Sequence, residues 1–119
     1  MRYCFDIETD GFLDTATKVH CIILKNIDTN EILHLNNAQA VKKLEEAQLI
    51  IGHNIIKFDI PVLEKFYNFK SKAKVFDTIV ATRLLFPDIK DQDFKYKNFP
   101  RDCIGRHSLK AWGNRVGRI

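Results

Sequence analysis

Arg2-Tyr3-Cys4-Phe5-Asp6-Ile7-Glu8-Thr9-Asp10-Gly11 decides the fold. Tyr3, Phe5 and Ile7 alternate with Cys4, Asp6 and Glu8. Side chains alternate across a β-strand, so the apolar residues share one face and Asp6 and Glu8 share the other. The two carboxylates then stand roughly 6–7 Å apart at their Cα atoms. Like charges that close repel and raise each other's pKa unless something positive lies between them. A hard divalent cation, Mg²⁺ or Mn²⁺, is the usual choice, because it prefers carboxylate oxygens. Acidic pairs on strands are more often a solvated face than a metal site. This one stands out for its apolar opposite face, its Thr9-Asp10-Gly11 ending and a second motif further along.

That second motif is His53-Asn54-Ile55-Ile56-Lys57-Phe58-Asp59-Ile60-Pro61-Val62-Leu63. It follows Leu49-Ile50-Ile51-Gly52, a short apolar run of the kind a buried parallel strand carries. The loop after such a strand lies where open α/β sheets bind ligands. A helix is expected to start near Asp59, with Pro61 tolerated in its first turn. Asp59 has a plainer reading as an acid that complements the helix dipole.

Between the two motifs, Val19–Lys25 reads as a second strand and Glu31–Leu35 as a third, with turn residues Asp28-Thr29-Asn30 between them. Short links make these three an antiparallel meander. Asn36-Asn37 can cap a crossover helix from Ala38 to about Gln48, with Ala40, Val41, Leu44 and Ala47 as its apolar stripe. Beyond the second motif, Val75-Phe76 is a short strand. Asp77 or Thr78 caps a helix to Leu85, its buried side assigned to Ile79, Val80, Leu84 and Leu85, and Pro87 ends it. Residues 87–107 have no clear period and read as a long surface loop. Ser108 caps a last helix, Leu109 to about Val116, with Leu109, Trp112 and Val116 on one side.

The composition excludes some classes. At 119 residues the chain is one domain at most. No apolar run approaches the ~20 residues needed to span a bilayer, and the N-terminus enters a strand with no leader pattern. Cys4, Cys21 and Cys103 lack metal-ligand spacing and read as free thiols of a reducing compartment. Net charge is +4, unevenly spread: residues 95–119 carry seven Lys or Arg (Lys95, Lys97, Arg101, Arg106, Lys110, Arg115, Arg118) against Asp102. Phe94, Tyr96, Phe99 and Trp112 interleave with them. Such a segment suits a polyanion whose unpaired bases stack on the rings. A solvated basic face, with Trp112 in the core, is the competing reading.

The combination Asp6-Ile7-Glu8 with His53-Asn54-x-x-Lys57-Phe58-Asp59-x-Pro61-x-Leu63 resembles the proofreading 3′–5′ exonuclease domain of bacteriophage-type family A DNA polymerases, in the DEDD superfamily. Thr17-Lys18-Val19-His20-Cys21, Phe76-Asp77-Thr78-x-Val80-x-x-Arg83-Leu84 and Gly105-Arg106-His107-Ser108-Leu109-x-Ala111-Trp112-Gly113 match in the same order, so nearly the whole chain is covered. The resemblance implies a ribonuclease-H-like α/β fold: a five-stranded mixed sheet, three strands antiparallel and two parallel, with flanking helices. It implies a single exonuclease-like domain over 1–119. It implies two metal ions, Mg²⁺ or Mn²⁺, held by Asp6, Glu8 and Asp59 as catalytic residues. His53, Asn54 and Lys57 would touch the DNA strand, and Phe12 or Leu13 would wedge against its terminal base. The partner would be a single-stranded or frayed DNA 3′ end, with a polymerase chain or self-association as further partners and no membrane. The setting would be the cytoplasm of a bacterial or phage-infected cell.

One element of the family pattern is missing. Its third motif, Tyr-x-x-x-Asp or His-x-x-x-x-Asp, supplies a fourth acid and orients the attacking water. Nothing after Tyr96 fits it, since Asp102 is in the wrong context. The fold is therefore expected to be C-terminally incomplete, with apolar sheet surface left open. Three functions follow from the pattern: a 3′–5′ exonuclease, a catalytically incomplete nucleic-acid-binding or assembly fragment, and another ribonuclease-H-like nuclease that cuts internally or acts on RNA.

Overall fold

A computed structural model describes residues 1–117, so Arg118 of the basic segment lies outside the described residues. The backbone forms two compact units, residues 1–77 and 78–119.

The first unit is built on β1 (Arg2–Thr9). It pairs antiparallel with β2 (Val19–Asn26), which pairs antiparallel with β3 (Ile32–Leu33). On its other side β1 runs parallel to β4 (Leu49–Gly52), and β4 runs parallel to β5 (Lys74–Asp77). The order β3-β2-β1-β4-β5 is the five-stranded mixed sheet expected of a ribonuclease-H-like fold. β3 is shorter than the alternation of residues 31–35 suggests, as only Ile32 and Leu33 reach β2.

One face of the sheet is the core. Tyr3, Phe5 and Ile7 of β1 lie in register with Asn26, Leu24 and Ile22 of β2, and all six are buried. Two helices cover this face. In α1 (Asn37–Glu46) the Asn36 side chain accepts the Gln39 N–H at 2.9 Å, and Gln39 returns a bond to the Asn36 N–H. This capping box fixes the rotation that buries Ala40, Val41, Leu44 and Ala47, the expected stripe. In α2 (Ile60–Tyr67), Val62 and Leu63 are fully buried. The opposite face carries Cys4, Asp6 and Glu8 with Ile23, Ile32 and Phe76, whose apolar members are half exposed.

The second unit contains α3 (Thr78–Leu85), α4 (Ile89–Asp93), a 3₁₀ turn at Arg101–Cys103 and α5 (Leu109–Val116). The stretch 87–107, read as an unstructured loop, thus holds two short helical turns. Of the apolar residues assigned to the buried side of α3, only Ile79 is buried; Leu84 and Leu85 are exposed. Ser108 caps α5 as expected, accepting the Ala111 N–H at 3.1 Å. Its buried residues are Ala111 and Gly113, while Leu109 and Val116 of the apolar side are exposed. Cys4, Cys21 and Cys103 are free thiols. No helix among the described residues is long and apolar enough to cross a membrane.

Candidate carboxylate site at the end of the central strands

The site forms where β1 and β4 end. Asp6 and Glu8 project from the open face of β1, as period 2 requires, and both are exposed. Beyond β1, residues 10–18 fold into a bonded turn. Asp10 Oδ1 accepts the backbone N–H groups of Thr17 at 2.8 Å and Lys18 at 3.2 Å, and the Thr17 hydroxyl donates to Oδ2. These bonds hold the Asp10 carboxyl down at about 2. Ala16 N–H bonds Phe12 O at 2.7 Å. Lys65 Nζ reaches from α2 to the carbonyls of Leu13 and Ala16, at 2.9 and 3.1 Å. The turn separates the two wedge candidates: Phe12 is 79% exposed, while Leu13 packs on the core.

Past β4 the chain turns at Asn54, whose φ of 63° is left-handed. Helical geometry then starts earlier than expected, at Ile55 and not near Asp59. Residues Ile55–Asp59 form one π turn, in which the Ile60 N–H reaches back to the Ile55 carbonyl. Such turns recur at functional sites. Here it places Asp59 inside a continuous helical run and buries it to 3% exposure. Asp59 makes no side-chain capping bond at the start of α2. His53 and Asn54 are half-buried and Lys57 is exposed. Asp77 fixes this loop from the end of β5. Its two oxygens accept the N–H groups of Asn54 at 2.8 Å and Ile56 at 3.0 Å. Asp77 reads in the sequence first as a helix cap, and nothing in the sequence marks Asp10 or Lys65 as shaping the site. Their partners lie far off in sequence or at spacings with no motif, so no local signal marks them.

The electrostatics concentrate on two groups. Burial, then the charge of Asp6, pushes the Asp59 carboxyl up to about 7, against the pull of the Ile7 backbone N–H. Asp6 is raised too, first by partial burial and then by Glu8. Asp59 Oδ2 is buried without a hydrogen-bond partner. Asp6 thus stands between two acids, one on its own strand and one on the helical run. Among the described residues, no three His, Cys, Asp or Glu side chains are disposed to hold one metal ion together. Asp6 and Asp59 are brought close enough to perturb each other, whereas Glu8 is not gathered with them around a single point. All three nevertheless offer the hard oxygen donors that Mg²⁺ and Mn²⁺ take. The orphaned Asp59 oxygen is a lone pair in want of a cation or proton, and exposed Glu8 is free to change rotamer.

No protein-family model matches the chain. The chain is 30% identical over 131 residues to the DNA-directed DNA polymerase of Escherichia phage T7, and 28% identical over 133 residues to that of Enterobacteria phage T3. Each match takes in 96% of this chain and 19% of the relative. The chain therefore spans about a fifth of the length of the curated relatives it matches.

Proposed function

From this kinship to one segment of the phage DNA-directed DNA polymerases, we propose that the chain is a metal-dependent 3′–5′ exonuclease module, the proofreading part of such a polymerase. The observation that carries this reading is the buried Asp59 carboxyl facing Asp6, with one oxygen lacking any partner. Two acids forced together at the end of a sheet cost stability, and a nucleic-acid enzyme that needs cations gives them a use.

Asp6, Asp59 and Glu8 would hold the Mg²⁺ or Mn²⁺ ions. Bound there, such ions supply an ionised water near neutral pH and neutralise charge on the phosphate. The chain's own residues do the rest. Asp6, coupled to both Glu8 and Asp59, would serve both ions, and Asp77 holds the 54–56 backbone so that His53, Asn54 and Lys57 border the site. Lys57, exposed and cationic, meets the phosphates of the strand. Phe12 offers an exposed ring to the terminal base, held out by the bonded turn behind it. The substrate is a single-stranded or frayed DNA 3′ end in the cytoplasm of an infected bacterium. The partner is a polymerase segment or a second copy.

The lack of the family's third motif in this sequence favours a second reading: a nucleic-acid-binding fragment that another chain completes. Incubation of 5′-labelled single-stranded DNA with Mn²⁺ separates the two. A ladder shortening from the 3′ end, abolished by Asp6→Ala, is the expected outcome. DNA retained in a gel shift with no ladder supports the second reading.

A further inference from the structure

The second unit contains a cleft remote in sequence from the carboxylates. It has a volume of about 200 Å³ and is lined by Tyr96, Lys97, Asn98, Phe99, Asn114 and Arg115. That is below the ~300 Å³ at which pockets hold a whole small molecule, so it suits one ring system of a larger ligand. Behind it lies a rigid stack. Arg115 makes a two-point bond to Asp93, Nε to Oδ1 at 2.9 Å and Nη2 to Oδ2 at 2.7 Å. Asp93 is fully buried and also accepts the Gly105 N–H at 2.9 Å. The guanidinium lies 4.6 Å from the Trp112 ring centroid and 5.6 Å from that of Phe99. Phe99 in turn stands 6.3 Å from Tyr96. Trp112, Arg115, Phe99 and Tyr96 thus form a graded series of planar groups. Its inner members are locked by the Asp93 pair and its outer member, Tyr96, is 62% exposed.

Two features point to what would continue the series. The Arg115 side chain is 6% exposed, and its Nη1 has no hydrogen-bond partner, so the wall carries a guanidinium donor in want of an acceptor. The cations around the rings are not neutralised. Asp93 is taken by Arg115 and Asp102 by Lys110, at 2.6 Å. Among the described residues Lys95, Lys97, Arg101 and Arg106 have no ion-pair partner. An exposed ring flanked by free cations, above a buried donor, matches a base attached to a phosphate backbone.

We infer that this cleft is a second nucleotide-binding site, which takes one unpaired base of single-stranded DNA against Tyr96 and its phosphate against Lys97. The inference rests on the nucleic-acid reading of the chain and extends it to a site built from the second unit alone. The test is fluorescence anisotropy of the full chain with a labelled oligothymidylate in EDTA, so that no cleavage intervenes. Tyr96→Ala is expected to weaken binding about ten-fold, as loss of one base stack does, while Tyr96→Phe binds as wild type. The Tyr96→Ala effect should vanish on a strand made abasic throughout. Lys97→Gln should make the salt slope shallower by about 0.7. Both side chains are exposed, so thermal midpoints should not move. Wild-type binding by both Tyr96→Ala and Lys97→Gln, with Lys57→Ala still weakening it, would overturn the second site and leave the exonuclease reading standing. If wild type binds no single strand in EDTA, the second site falls, and the exonuclease reading, whose ions EDTA removes, is judged by the Mn²⁺ ladder alone.

Discussion

Asp59 illustrates how one residue can oppose the fold that holds it. Its carboxyl is raised from an ordinary value of 3.8 to about 7, so the native state binds a proton that the unfolded state has released. Stability is therefore greatest below the unfolded value, falls as pH rises through this window and levels off above about 7. In metal-free buffer at pH 8, Asp59→Asn should raise the unfolding midpoint by on the order of 5 °C, and below pH 3.8 it should leave it unchanged. Equal midpoints at pH 8 would mean the charge is already compensated. Asp10 has the opposite sign. Its carboxyl is held at about 2, so its contribution is present above 3.8 and lost as pH falls through 2. Asp10→Ala should lower the calorimetric midpoint at pH 7, by an amount that shrinks as pH falls towards and below 2. Asp59 was visible in the sequence as an acid at the right place. Its burial was not, because that depends on a π turn that no local pattern announces.

At the scale of elements, legibility followed period. The alternation of β1, the apolar run of β4 and the capped stripe of α1 each bury the residues their spacing assigns. α3 and α5 do not, since Leu84, Leu85, Leu109 and Val116 fit a helical stripe and are exposed. Their faces depend on what packs nearby, which spacing alone does not contain. The junction from β4 to the π turn is the tightest point of the first unit. A methyl group on Gly52 would stand 2.3 Å from Ile55 Cγ2 and 3.0 Å from the Phe5 carbonyl oxygen. Ile55 is fully buried, so neither neighbour yields easily. Gly52→Ala should cost about 1–3 kcal/mol in urea unfolding, the usual range for overpacking. It should depress the proposed exonuclease activity in step, because Ile55 opens the turn that sets Asp59.

For the whole molecule, charge divides along the two units. Residues 1–77 sum to −1 and residues 78–119 to +5. The basic character was plain from composition, but the boundary after Asp77 was not, since β5 runs into α3 with no linker. Four contacts from the unpaired cations of the second unit predict a steep salt dependence. Affinity for single-stranded DNA should fall on the order of 50-fold between about 50 and 200 mM salt. A flat titration would mean these cations do not meet phosphates.

The clamp from Asp77 to the Asn54 and Ile56 amides also bears on the order of folding. β1 and β2 are joined by a short turn, so their pairing closes only a small loop. β4 must return to β1 across residues 27–48, and β5 is later still in the chain. Loop closure of that kind is slow, and the clamp waits for the last strand to dock. On a ribosome, a nascent chain that has not yet emerged through Asp77 carries Asp6, Glu8 and Asp59 with the loop between them unpinned. The carboxylate loop thus gains its final shape only when the last strand of the sheet has docked.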